Sequence, residues 1–159
     1  MVILLGGNIG DVRALFAECR ELLSHRVGEV ISLSAEMESD AWGFSSSSKF
    51  VNQAVLLSTE LSPEALLAAT QSIERDLGRN RDDEKREKIR SGEPYASRVI
   101  DVDIITYGSQ VVDVEGLMIP HARMHEREFV LRPMVEVAPL WQHPTLKKST
   151  AELLKKIIK

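Results

Sequence analysis

With 159 residues, 43% of them hydrophobic, the chain has the size and apolar content of one globular domain spanning residues 1–159. A net charge of −4 argues against sequence-blind nucleic-acid binding, and the apolar run Val2 to Leu5 is too short for a signal peptide or a membrane span. The single cysteine, Cys19, cannot form an internal disulfide and fits a reducing compartment, so the chain reads as a soluble cytoplasmic protein without a membrane or nucleic-acid partner.

Val2 to Leu5, ended by Gly6-Gly7, predicts a strand entering a tight turn. Asp11 then caps a helix whose Val12, Leu15, Phe16, Cys19, Leu22 and Leu23 recur at helical spacing, which makes Cys19 a core thiol. The glycines here lack the third spacing of a dinucleotide-binding fingerprint. Val30 to Met37 alternates, with Ile31, Leu33, Ala35 and Met37 as the apolar set of a strand with one wet face. The serine-rich stretch from Ser39 to Ser48 carries Trp42 and Phe44, and large aromatics there point to a lid or pocket wall, with simple packing onto the core as the alternative. Phe50 to Glu60 predicts a strand with Phe50, Asn52, Ala54 and Leu56 on one face and Val51, Val55 and Leu57 on the other. An aromatic beside an amide that both donates and accepts suits a planar heterocycle, although a backbone-satisfied Asn would look the same.

Ser62-Pro63 opens a second helix with Leu66, Leu67, Thr70, Ile73 and Leu77 inward, flanked by Gln71 and Glu74 and ended by Gly78. Between Arg79 and Arg98 seven Lys or Arg stand against five acids, and Asp82 to Glu93 reads as a solvated loop. The arginines at its two ends abut a helix end and the next strand, where guanidinium groups can take phosphate oxygens in bidentate fashion. Ser97 to Tyr107 is a β-branched run interrupted by Asp101 and Asp103. Residues two apart on a strand share a face, so these carboxyls stand about 7 Å apart and can lean toward one hard cation. Their mutual repulsion calls for compensation, and magnesium with its phosphate ligands would supply it; a half-exposed Asp-x-Asp without metal is the bland alternative. Gly108-Ser109 turns the chain into Gln110 to Val114 as a hairpin partner. His121 and His125 lie four apart without an evident third ligand, which disfavours zinc. Glu126 to Val137 predicts a short helix broken or kinked near Pro133, with Phe129, Val130, Met134 and Val137 apolar. Ser149 and Glu152 form a capping box for a last helix with Leu153, Leu154, Ile157 and Ile158 inward.

At least four strands, hairpin signals and two or three helices indicate an α+β sandwich rather than an alternating parallel sheet. Paired carboxylates, several arginines, a histidine after a proline and an aromatic–amide pocket would fit transfer of a phosphoryl-type group to a planar acceptor. Over nearly its whole length the chain resembles the 6-hydroxymethyl-7,8-dihydropterin pyrophosphokinases. The motifs that carry this are the opening LGGNIGD; Ala41-Trp42-Gly43-Phe44; Phe50-Val51-Asn52-Gln53-Ala54; Gln71-Ser72-Ile73-Glu74 with Gly78-Arg79-Asn80-Arg81; Arg98 to Ile104; Ile119-Pro120-His121; and Arg127 to Pro133.

The resemblance implies a ferredoxin-like α+β sandwich, with a mainly antiparallel sheet and helices packed on it. It implies an enzyme that moves pyrophosphate from ATP to 6-hydroxymethyl-7,8-dihydropterin in folate biosynthesis, releasing AMP, and that works as a monomer. Asp101 and Asp103 would hold two magnesium ions. Arg79, Arg81, Arg98, His121 and Arg127 would contact the ATP phosphates, Gln71 and the backbone near Ile104 would seat the nucleotide, and Arg79 and Arg98 would stabilise the transition state. Phe50 and Phe129 would sandwich the pterin while Asn52 and groups around Trp42 read its edge. The chain departs from the family pattern at Tyr95-Ala96-Ser97 in place of Trp-Gly-Pro, at Ala122 and at Gly7. A haloacid-dehalogenase-type phosphatase would need Thr where Ile105 stands, and a palm-type nucleotidyltransferase would need its glycine pair near Asp101. A non-catalytic pterin or nucleotide-binding module is the alternative from another class.

Overall fold

The structure of the chain, a computed structural model, describes residues 1–8, 10–39, 49–79, 86, 89–90 and 100–158. In chain order its elements are β1 (Val2–Gly7), α1 (Val12–Arg26), β2 (Gly28–Leu33), β3 (Met37–Ser39), β4 (Phe50–Thr59), α2 (Pro63–Asp76), β5 (Asp101–Thr106), β6 (Val112–Val114), β7 (Leu117–Ile119), a 3-10 turn (Met124–Glu126), α3 (Glu128–Val137) and α4 (Thr150–Ile158). The main sheet runs β2-β4-β1-β5, with β3 also on β4, and every pairing is antiparallel. β1-α1-β2-β4-α2-β5 follows the β-α-β-β-α-β path of the ferredoxin-like sandwich that the family resemblance implies.

β1 is central and buried throughout, with apolar layers on both sheet faces along Val2 to Leu5. One face, with Ile3, Leu5, Val51, Val55, Leu57, Val102 and Ile104, packs against Phe16, Cys19 and Leu23 of α1 and Leu66 and Ile73 of α2. The other, with Val2, Leu4, Ala54 and Ile105, packs against Val130, Leu131 and Met134 of α3 and Leu153 of α4. The helices start where the sequence places their caps. Asp11 Oδ1 accepts from Ala14 N at 3.1 Å, Ser62 Oγ accepts from Ala65 N at 3.2 Å, and Ser149 and Glu152 exchange reciprocal capping hydrogen bonds at 3.1 Å. Hydrogen bonds from the Ser149 amide and hydroxyl hold the Glu152 carboxyl below its ordinary value by favouring the charged form.

Four local expectations are corrected. Val30 to Met37 is not one strand: β2 ends at Leu33 and β3 starts at Met37. Between them Ser34 N donates to Ala54 O at 3.0 Å, and Ser34 Oγ accepts from Ala54 N at 2.9 Å. Along β2 the places alternate with Val30 and Ser32 inward, so Ile31 is 58% and Leu33 44% exposed; the β2–β4 register also shifts between Val30 and Ser32. β6 pairs with β7 across Glu115-Gly116, where Gly116 adopts φ +81, instead of returning to β5. The outer edge of β5 is already occupied, because Val102 N donates to Glu74 Oε2 at 2.8 Å and Ile105 O accepts from His121 N at 2.9 Å. α3 runs unbroken through Pro133, which has no N–H to give the Phe129 carbonyl. In α4 the packed stripe ends at Leu154, leaving Ile157 37% and Ile158 42% exposed.

Candidate active site

The face of the sheet under α3 is apolar along only half its length. Towards the Gly7 end of β1 the residues that continue the same face are Gly6 on β1, Asn52 and Phe50 on β4, and Asp101 and Asp103 on β5. Gly6 stands opposite Asn52 on one side and Asp101 on the other, and Asp103 pairs with Leu4. The two carboxylates thus share a face as their spacing requires, and both are half-buried.

Arg79 reaches this pair from the end of α2. Gly78, at φ +101, turns the chain in the left-handed region, and Arg79 N folds back to Glu74 O at 3.0 Å. The guanidinium is 4% exposed, and its Nη1 donates to Glu74 Oε2 at 2.6 Å and to Asp101 Oδ1 at 2.9 Å. Glu74 is therefore a working part of the site that sequence reasoning treated as a flanking residue. Its signal was present: with Thr70, Ile73 and Leu77 it falls on the inward stripe of α2, where a carboxylate needs a partner.

His121 follows a cis Ile119–Pro120 bond and feels the charges of both Arg127 and Asp101. Burial and the neighbouring Arg127 cation hold its pKa below the ordinary value, with Asp101 pulling the other way, and its buried Nδ1 has no hydrogen-bond partner among the described residues. Arg127 starts α3 and sets its guanidinium carbon 5.6 Å from the centre of the Phe129 ring. Phe129 and Asn52 line a cavity of about 270 Å³ with Met37, Ser39 and the Glu128–Arg132 ion pair. Asn52 Nδ2 donates to Leu5 O at 3.3 Å, while its buried Oδ1 has no partner among the described residues. Phe50 is half-buried at the start of β4, across from Ser39.

Asp101, Asp103, Arg79, His121, Arg127, Asn52, Phe50 and Phe129 thus converge on one half-face. Gln71 and Ile104 belong to the opposite layer, Gln71 on α2 and Ile104 in the core that α1 and α2 share. Trp42, Arg81 and Arg98, with Phe44 and most of the charged stretch 82–96, lie outside the described residues. Cys19 is fully buried, and burial and the nearby Glu74 charge push its thiol up to about 12, as expected of a core thiol.

Fold and site define a class: a ferredoxin-like α+β sandwich whose open half-face gathers hard oxygen donors, cationic side chains and an aromatic pocket, the equipment for a charged polyphosphate and a planar acceptor. The model of the 7,8-dihydro-6-hydroxymethylpterin-pyrophosphokinase family matches residues 2–139. A 2-amino-4-hydroxy-6-hydroxymethyldihydropteridine pyrophosphokinase of Porphyromonas gingivalis is 40% identical over 141 residues, 88% of this chain and 90% of that protein. One of Methylorubrum extorquens is 42% identical over 137 residues, 85% of this chain and 80% of that protein. Among solved structures, Plasmodium falciparum HPPK-DHPS wild type with pteroate superposes with a TM-score of 0.73 at 14% identity; 99% of this chain is covered, and it spans 44% of the length of that chain. The chain belongs to the pyrophosphokinase family, ATP-dependent diphosphokinases that transfer pyrophosphate from ATP to hydroxymethyldihydropterin in folate biosynthesis, a reaction that uses magnesium.

Proposed function

We propose that this chain transfers the pyrophosphoryl group of ATP to 6-hydroxymethyl-7,8-dihydropterin on the half-face bounded by Asp101 and Asn52. The observation that carries this reading is the placement of Asn52 and Asp101 on either side of Gly6, which sets an amide-and-aromatic pocket directly beside a carboxylate pair. Asp101 and Asp103 fit magnesium by their chemistry. They are hard oxygen donors on one face, and among the described residues no third His, Cys, Asp or Glu joins them, so coordination positions remain for water and substrate phosphate. They hold two ions in this reading; bound magnesium supplies positive charge to the triphosphate and to the attacking hydroxyl.

The protein groups divide the remaining work. Arg79, Arg81, Arg98, His121 and Arg127 bind ATP phosphates, and Arg79 and Arg98 stabilise charge as the pyrophosphoryl group leaves AMP. Gln71 and the backbone near Ile104 seat the nucleotide from the α2 side. Phe50 and Phe129 hold the pterin ring, and Asn52 with groups around Trp42 fixes its edge, so that the hydroxymethyl oxygen points at the phosphates. The enzyme works in this way as a monomeric, cytoplasmic domain of residues 1–159; among the described residues no helix is long and apolar enough to cross a membrane. The test is to incubate the protein with magnesium, ATP and the hydroxymethyldihydropterin and separate the nucleotides. AMP in equal amount to the pterin diphosphate is expected; ADP, or binding of both ligands without turnover, would overturn the reading, the latter in favour of a non-catalytic binding module.

A further inference from the structure

Gly6 lies in the middle strand of the sheet, where glycine weakens a strand and leaves nothing to pack. Its backbone does not call for glycine, since it is absent from the positive-φ residues. Space does. A Cβ built on Gly6 would stand 2.8 Å from Asn52 Nδ2, with Asp101 Cβ and Val51 O at 3.9 Å. The Asn52 amide lies across the place where that side chain would be, donates from Nδ2 to Leu5 O at 3.3 Å, and keeps its buried Oδ1 without a partner among the described residues.

We infer that Gly6 is a positioning residue for the acceptor substrate: the missing side chain lets the Asn52 amide lie against β1 with its oxygen presented as a preset acceptor to an N–H edge of the planar ring. This rests on the proposed placement of the pterin at Asn52. The physical reason is the cost of a buried acceptor left unmade, which a ligand N–H removes only if the amide is held in the right orientation before the ligand arrives. A methyl group at position 6 meets the amide nitrogen well inside contact distance, so the amide must rotate and the oxygen leaves its place.

The experiment is a double-variant cycle on the full chain, with Gly6→Ala, Asn52→Ala and both together, reading calorimetric affinity for the hydroxymethyldihydropterin and, separately, for ATP with magnesium. Gly6→Ala should weaken pterin binding about tenfold or more, the effect of one good hydrogen bond. ATP affinity should stay within about twofold, and adding Gly6→Ala to Asn52→Ala should weaken the pterin no further, because the methyl then has nothing to displace. Unchanged pterin affinity in Gly6→Ala, or the same loss with and without Asn52, would overturn the role of Gly6. Unchanged affinity in Asn52→Ala alone would instead overturn the placement of the pterin. If Gly6→Ala melts without cooperativity, the double variant, relieved of the clash, should still fold and bind like Asn52→Ala; a double variant that also fails to fold refutes the inference.

Discussion

Replacing Glu74 by alanine should be among the most damaging single changes to this fold. Glu74 Oε2 accepts two hydrogen bonds, from Arg79 Nη1 at 2.6 Å and from Val102 N at 2.8 Å, with the residue 2% exposed. Removing it leaves a guanidinium that is 4% exposed beside the Asp101 carboxylate at 2.9 Å, and takes the acceptor from an edge-strand amide. Breaking a buried pair by deleting one partner costs about 3–5 kcal/mol, and an orphaned buried amide about 1–3 kcal/mol. Both losses come from one oxygen and Asp101 can recover part of the first, so the net expectation is about 3–5 kcal/mol rather than the sum. That is a large share of the roughly 5–15 kcal/mol that holds a domain together. Glu74→Gln keeps the shape and an acceptor for Val102 N, and should cost less, about 1–3 kcal/mol, the worth of a hydrogen bond to a charged group. Urea unfolding of the three proteins at neutral pH is the assay, read as a midpoint shift at constant slope. A loss below about 1 kcal/mol in Glu74→Ala would refute the idea that this carboxylate holds the end of α2 to β5.

Asp103→Ala should keep the fold yet lower turnover by at least about a hundredfold, since charge-stabilising groups in such sites contribute several kcal/mol; near-normal turnover at saturating magnesium would exclude Asp103 from the metal site. Phe129→Ala should weaken pterin binding by about 1–3 kcal/mol, as for aromatics that stack on bases, with ATP affinity little changed. Loss of ATP binding with pterin binding intact would mean that the two subsites are reversed. His121 is held below the ordinary 6.5 by burial and Arg127, so it enters the site neutral at pH 7. If it meets phosphate as a cation, ATP must raise its pKa, and ATP affinity should climb as pH falls through 6.5 by more than in His121→Gln. Calorimetry in two buffers of different ionisation heat measures the proton taken up, and equal uptake in the two proteins would remove His121 from the phosphate site. The stability effect runs the opposite way: with the folded pKa lowered, the unfolded chain takes the proton first, so His121 costs stability below pH 6.5 and nothing well above it.

The parts of this molecule that were legible in the sequence are those in which local chemistry and tertiary demand agree. Asp11, Ser62 and the Ser149–Glu152 pair cap helices because their oxygens reach amides a turn away, a relation written entirely in spacing. β4 divides its faces as alternation requires, and Asp101 and Asp103 share a face for the same reason. What could not be read there depends on partners remote in the chain. Which face of β2 turns inward is settled by its packing beside β4, which leaves Ile31 outward, and the pairing of β6 with β7 reflects an edge of β5 already taken by Glu74 and His121. The helix pattern places the Glu74 carboxylate on the inward stripe of α2, but its partners Arg79 and Val102 lie outside that pattern.

One strand carries the division between core and site. From Val2 to Leu5, β1 is apolar on both faces, the mark of a strand covered on both sides, and then it changes to Gly6-Gly7 without leaving the sheet. The change coincides with a change of partners: Leu4 lies opposite Ala54, whereas Gly6 lies between Asn52 and Asp101. β5 changes one pair earlier than β4: Asp103 already stands opposite Leu4, at the level where Ala54 still packs under α3, and Asn52 and Asp101 follow on either side of Gly6. The face under α1 and α2 stays closed at the same level: Leu5, Val51 and Val102 remain in the core, and Gln53 between them is buried and hydrogen-bonded to Arg20 and to Ser34 O. A sheet closed on one side and half-open on the other can hold charged groups rigidly, because the strands that bear them are anchored by apolar packing through the opposite face. Asn52, Asp101 and Asp103 therefore stand on strands anchored from behind, and substitutions at Leu5, Val51 or Val102 should disturb their geometry through the backbone without touching a ligand.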